Sequence, residues 1–410
     1  MTHHPSRRAR TTLGAVGLAG VLVASLAACS SDSSSGDPAP AASGGVSKVD
    51  VTLTSASGSD ACDLSTASVP AGPVTFTVTN KDSAAISEFE LLSDDRIVGE
   101  KENLAPGLAP VSFTVTLGGG QYQVYCPGAQ NDTVAFTVTG KAATPTGSTQ
   151  ALLQDGTQGY GDYVDGQVAG MVTAVGALKT AVDSGDVAAA QQAYGQARPF
   201  YEKVESDVEG FTLPGTDPTD NSGNLDYLID MRASNLDPAV GWHGFHAVER
   251  DLFQKKAITT GTKKLAAELD TNVGKLAELS KGLTYKPEDL ANGAAGLLEE
   301  VQANKIKGEE ELYSHIDLVD FASNVEGAEQ AFAYLKPGLE KIDPDLTDTV
   351  STRFDDVKTL LAGYEDPDAV GGYTTYTAAL KASDSAKLSQ AVQALQEPLS
   401  KIAEKVATAQ

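Results

Sequence analysis

His246 and Glu249 stand three residues apart in the stretch GFHAVERDLF, and Glu202 and Glu205 repeat that spacing in FYEKVES. Side chains three apart on a helix share a face, so each pair is within reach of one ion. Helical bundles assemble metal sites from His-x-x-Glu and Glu-x-x-Glu pairs on facing helices. Imidazole with carboxylates suits iron, zinc or manganese better than calcium or copper(I), and a carboxylate majority favours a hard ion such as iron(III). A third run, GEEELYSHIDLVDF over 308–321, sets three glutamates ahead of His315 and two aspartates. Acids in that pattern also suit the start of a helix, where they meet the positive end of its dipole. The Glu-x-x-Glu pair alone equally suits a solvated helix face, and His246, among Phe245, Val248 and Leu252, suits the edge of a core. Proteolysis is poorly served. The zincin motif needs two histidines around a glutamate base, and H-A-V-E lacks both the second histidine and the base at its place. The sequence contains no Gly-x-Ser-x-Gly elbow and no phosphate-binding glycine loop.

The segments that must position these residues divide by hydrophobic period. Over 48–140, short alternating runs such as VDVTLTS, VTFTVTN, VSFTVTL and VAFTVTG predict a small antiparallel sandwich. It contains no histidine, which excludes a blue-copper site of two histidines and a thiolate. A linker covers 141–149. Over 150–410 the period becomes 3.6, with apolar residues at i, i+3, i+4 and i+7. Breaks at DSGD, LPGTDPTDNSGN, KPED and IDPD leave about eight helices, each with one apolar face, which is the pattern of a bundle. The segment from Leu178-Lys179 to Pro199 echoes that from Leu380-Lys381 to Pro398, which predicts two related four-helix units.

The N-terminus reads as an export signal. Arg7, Arg8 and Arg10 precede the apolar run LGAVGLAGVLVASLAA, which is too short for a membrane span, so 1–28 is expected to be removed. Leu26-Ala27-Ala28-Cys29 resembles a bacterial lipobox, which implies lipidation of Cys29. Residues 29–47 are rich in Ser, Gly, Pro and Ala and form a flexible tether. Cleavage before Cys29 removes three arginines and no acid, taking the formal charge from −25 to −28. A surface so acidic repels nucleic acid and anionic lipid and attracts cations. The protein is expected on the outer face of the cytoplasmic membrane, held by its lipid alone. Cys62 and Cys126 remain as one pair in an oxidising compartment, most simply a disulfide.

GFHAVERDLF, KIKGEEELYSHIDLVDFASNVEGAEQAF and RPFYEKVE together resemble the signatures of the imelysin-like (peptidase M75-type) family. A sandwich followed by such a bundle is similar to the exported component of Efe-type iron-uptake systems. The resemblance implies a cupredoxin-like sandwich joined to an all-α domain of two four-helix bundles. It implies a metal site that binds iron for delivery, with zinc as an in vitro substitute, and no catalysis. It also implies two partners, an Ftr1-like iron permease and a haem peroxidase. Carried over by position, the ligands are His246, Glu249, Glu202, Glu205, Asp230 of the Ile-Asp-x-Arg element, and Glu309 or Glu310. The insertion TDPTDNSGN lengthens the loop before Asp230, and His243 has no counterpart. In the sandwich, Cys62, Cys126 and Glu88 match a second metal set, but Val124 replaces its methionine, which favours a disulfide there. The family name admits a metallopeptidase as the alternative, and some members resemble binders of anionic polysaccharide.

Overall fold

In the computed structural model residues 45–409 are described, apart from 57, 94–95 and 217–219. The leader 1–28, Cys29 and the tether up to residue 44 lie outside the described residues. The alternating runs build nine strands: β1 Ser47–Ala56, β2 Ser59–Leu64, β3 Ser68–Pro70, β4 Gly72–Asn80, β5 Phe89–Ser93, β6 Arg96–Lys101, β7 Val111–Leu117, β8 Gly120–Tyr125 and β9 Thr133–Thr139. They form two sheets, ordered β2-β1-β4-β7 and β3-β9-β8-β5-β6. The expectation of a purely antiparallel sandwich is corrected at two pairings. β1 runs parallel to β4, with Val49 opposite Phe76, and β3 runs parallel to β9. Alternation reports which face is buried but not strand direction. Here the chain crosses from β2 to the other sheet as β3 before returning as β4, so β4 re-enters beside β1 in the same sense.

Inward residues of both sheets meet around Phe76, whose ring centroid lies 5.6, 5.3 and 5.4 Å from those of Phe89, Phe113 and Phe136. Cys62 on β2 and Cys126 after β8 are joined in a disulfide that ties one sheet to the other. Closing a separation of 64 residues removes chain entropy from the unfolded state, an effect of about 4 kcal/mol. The cysteines of the candidate second metal set therefore offer no thiolate. Its third member, Glu88, lies toward Arg232, Asp226 and Glu300 of the helical part.

The 3.6-residue period gives α1 Ser148–Ser184, α2 Val187–Glu202, α3 Glu205–Val208, α4 Leu225–Asp230, α5 Gly244–Glu249, α6 Thr260–Leu279, α7 Pro287–Glu300, α8 Asp317–Ile342, α9 Pro344–Ala362, α10 Ala378–Leu399 and α11 Ile402–Thr408. The excess over about eight comes from α3, α4, α5 and α11, which have 4, 6, 6 and 7 residues and are too short to display a period. Helices α1, α2, α6 and α8 pack as one group of four and α7, α8, α9 and α10 as another, so α8 serves both. Their buried side chains merge into one continuous core. The sequence echo survives only in part. Gly185, at φ 82°, ends α1 and Asp186 caps α2, accepting from Ala189 N at 3.0 Å. The matching stretch near the C-terminus has no glycine and runs through α10 unbroken.

The sandwich lies against α7 and α11 through β4 and β7. Polar contacts fix this joint: Lys101 Nζ meets Glu299 at 2.6 Å, and Asn292 Nδ2 donates to Thr114 O at 2.7 Å. No helix among the described residues is long and apolar enough to cross a membrane.

Candidate metal centre

Interruptions of regular helix position the nominated residues. Glu202 ends α2 and Glu205 opens α3, so the Glu-x-x-Glu pair spans a helix break rather than one helix face. Asp230 is the last residue of α4, whose first turn is capped by Asn224, the end of the TDPTDNSGN insertion, accepting from Tyr227 N at 3.2 Å. GFHAVERDLF is buried throughout 244–249, not amphipathic, and its helix widens over Arg250–Gln254 into a π turn. A second π turn, Val301–Lys305, follows α7, with Ile306 N bonded to Val301 O at 3.0 Å. Such turns are rare and concentrate at functional sites. The acidic run does not start a helix either: it lies in irregular chain before α8, which lets successive residues point apart. Glu309 is exposed, whereas Glu310 and Glu311 are buried.

Gly244 makes the meeting of α4 and α5 possible. Its φ is +69°, and a Cβ there would lie 2.0 Å from Ile229 O, next to Asp230. Gly244→Ala is therefore expected to destabilise the protein by more than the roughly 1–3 kcal/mol of the backbone strain alone. It should also separate Asp230 from His246. Urea unfolding and a zinc titration check both effects, and an unchanged urea midpoint would refute the packing argument.

His246 is 1% exposed and is held at both ring nitrogens by acids. Nδ1 lies 3.3 Å from Glu249 Oε2, while Glu249 Oε1 accepts from the backbone amides of Tyr313 and Ser314, both at 2.7 Å. Nε2 lies 3.5 Å from Asp230 Oδ1 and 3.3 Å from Glu310 Oε1, yet makes no hydrogen bond. Two triads have ligand atoms within 4.8 Å of one another: Asp230, His246 and Glu310, and His246, Glu249 and Glu311.

Glu202 and Glu205 are not against His246. They face two buried cations whose roles the sequence did not disclose. Arg198 bonds Asp230 and Glu202, and lies 3.3 Å from Glu310, 3.0 Å from Glu311 and 3.4 Å from Asp320. Lys305 Nζ stands 3.3, 3.4, 3.6 and 3.4 Å from Glu202, Glu205, Glu300 and Glu310. Arg232, at the margin, meets Glu300 at 2.5 Å and Glu310 at 3.3 Å. Glu310 thus bridges the imidazole and the cation cage. Arg198 stands four residues ahead of Glu202 on the same helix, a spacing that pairs the two, but Lys305 carries no such cue. His243 lies aside, 3.1 Å from Glu268, and His315 is exposed.

Nine buried carboxyls gather here, those named so far plus Asp317, against Arg198, Arg232 and Lys305. Burial penalises each charge, and these three cations with a protonated His246 cannot offset all nine. Burial pushes Asp230 up to about 7 against the pull of Arg198 and His246, and it raises Glu311 and Asp320 well above the usual carboxylate range. For Glu310 burial is outweighed by Lys305 and Arg232, which hold it well below that range. For His246 burial lowers the pKa, but Asp230, Glu249 and Glu310 outweigh it and push it up to about 10. The centre thus holds more buried carboxyls than cations, and the protonated His246 is one of the cations.

Known proteins agree with this architecture. The profile of the imelysin family (peptidase M75) matches residues 156–402. The chain is 34% identical over 346 residues to the iron uptake system component EfeO of Escherichia coli K12, covering 83% of this chain and 88% of that one. It is 34% identical over 320 residues to the protein of the same name from Shigella boydii, covering 77% and 81%. With the family's domain across most of its length and EfeO proteins matched beyond it, the chain belongs to the imelysin family, among its EfeO members.

Proposed function

We propose that this protein is an exported, lipid-anchored component of an iron uptake system that captures iron at His246 and passes it to a membrane permease. The observation that carries the reading is the buried triad of His246, Asp230 and Glu310, whose ligand atoms lie within 4.8 Å of one another. A bound cation would take the place of the His246 proton between these two carboxylates. Asp230 and Glu310 complete its first ligands, and Glu311, Glu202 and Glu205 tune the field around them. Glu249 orients the ring through Nδ1, as carboxylates commonly do for metal-binding histidines. Both Glu249 oxygens are engaged, so it is not placed as the base of a peptidase, and the binding reading is preferred to a catalytic one. The anchor is the proposed lipid on Cys29, and the haem peroxidase and Ftr1-like permease are the proposed partners.

Calorimetric titration of the whole protein with anaerobic Fe(II) and with citrate-chelated Fe(III) tests this. A ligating imidazole must be neutral, so binding is expected to release the His246 proton. Affinity should rise with pH from neutrality toward about 10, where the metal-free His246 loses its proton. No heat and no protection from chelator-reversible binding at either oxidation state would reject the function.

A further inference from the structure

Every ligand proposed above is buried, so an ion needs a way in. A cavity of about 370 Å³ lies between the sandwich and the helices, bounded by β6 and β7 on one side and by α3 and α7 on the other. Glu100 and Glu102 line it from the sandwich beside Arg96 and Lys101, and Glu209 lines it from the chain after α3. Its inner wall includes Glu205 and Glu300, which also face Lys305 Nζ at 3.4 and 3.6 Å. Beyond them Glu202 is fully buried, and its Oε2 makes no hydrogen bond although it points at the same ammonium from 3.3 Å. Glu310 closes the far side: one oxygen lies 3.4 Å from Lys305 and the other 3.3 Å from His246 Nε2. Carboxylates thus run from the cavity to the ligand nitrogen. All four Lys305 contacts exceed the roughly 2.7–2.9 Å of a tight charge-assisted bond, so the ammonium is held loosely among them. At the cavity Glu100 neighbours Glu209 and Glu102 neighbours Glu300, and burial raises the pKa of Glu100, Glu102 and Glu209.

We propose that this interdomain cavity is the passage by which a hydrated metal cation reaches the His246 centre, with Glu100, Glu102 and Glu209 as its acidic outer lining and Lys305 as the resident cation it must pass. The proposal rests on the metal-binding reading of His246. It gives the sandwich a role without a metal site of its own: half the wall of the passage.

A passage is revealed by rates, not affinities. Gly296 lines the cavity, and a Cβ there would meet only the Ser206 Cβ, at 3.8 Å, so Gly296→Leu fills space without touching a proposed ligand. Uptake and release of anaerobic Fe(II) by the whole protein would be followed by stopped-flow competition with a chromogenic chelator. Gly296→Leu is expected to slow both rates by a similar factor and leave affinity unchanged. Glu100→Gln/Glu102→Gln should slow uptake about tenfold at low ionic strength, with the deficit shrinking as salt screens the field. If the wild type binds Fe(II) and both variants take it up at the wild-type rate, the passage is overturned while the site stands. If the wild type binds nothing, both readings fall. Should Gly296→Leu not fold, the double glutamine variant decides, since it removes charge from the cavity wall without adding bulk.

Discussion

Arg198→Met is expected to lower the unfolding free energy of the metal-free protein by about 3–5 kcal/mol at pH 7.5, the range for removing one partner from a buried ion network. Arg198 is fully buried and serves five carboxylates at once, on α2, α4, the acidic loop and α8. Its guanidinium also lies over the Phe245 ring, 5.1 Å from the centroid, so Met keeps apolar volume while deleting the charge. The sign of the pH dependence follows from burial. Carboxyls whose folded pKa is raised above the unfolded value take up protons on folding, so their penalty is relieved as pH falls. Without Arg198 that penalty grows, and the gap to wild type should narrow between pH 7.5 and 5.5. Urea unfolding at the two pH values measures it. A deficit under about 1 kcal/mol at pH 7.5 would mean that the carboxyls are already protonated and that Arg198 is not their counter-charge.

His246→Ala should weaken Fe(II) and Zn(II) binding by at least about 100-fold, since altering a partner outside the ligand shell already costs 10–100-fold. Glu249→Gln tests the finer assignment. If Glu249 orients the ring, its amide retains part of that contact and the loss stays within the outer-shell range; if it is a ligand, the loss matches that of His246→Ala. Stability in the absence of metal moves the other way with pH from the carboxyl case. His246 has its folded pKa raised to about 10 from 6.5, so its ion pairs stabilise fully below pH 6.5 and are lost as pH rises toward about 10. The wild-type advantage over His246→Ala in urea unfolding should therefore shrink above neutrality. Equal metal affinity in the two proteins would remove His246 from the centre.

Much of this was legible in the sequence where periodicity or motif spacing carries it. Alternation located the strands and the 3.6 period located the long helices, and the structure sets three of the nominated residues, His246, Asp230 and Glu310, beside one another. What escaped has a common cause. Strand direction leaves no trace in alternation, so the parallel pairing of β1 with β4 was not foreseen. Short pieces such as α4 and α5 have too few residues to show a face. Lys305 and Arg198 belong to residue types that are almost always exposed, so composition argues against burying them until partners are seen. Glu311 was one of three equal neighbours, and only irregular backbone decided that it turns inward while Glu309 turns out.

The two π turns have a further consequence. Geometrically, a π turn is an α-helix that has accommodated one surplus residue, and each residue advances a helix by about 100°. The surplus is absorbed locally, so everything before it keeps its packing while everything after it is rotated. In α7 this leaves Leu290, Ala294 and Leu297 in the core and turns Lys305 into the carboxylates. In α5 the surplus lies just after Glu249 and leaves the His246 side of the turn undisturbed. A single surplus residue after α7 is thus enough to bring one ammonium, that of Lys305, into a carboxylate cluster supplied by other segments.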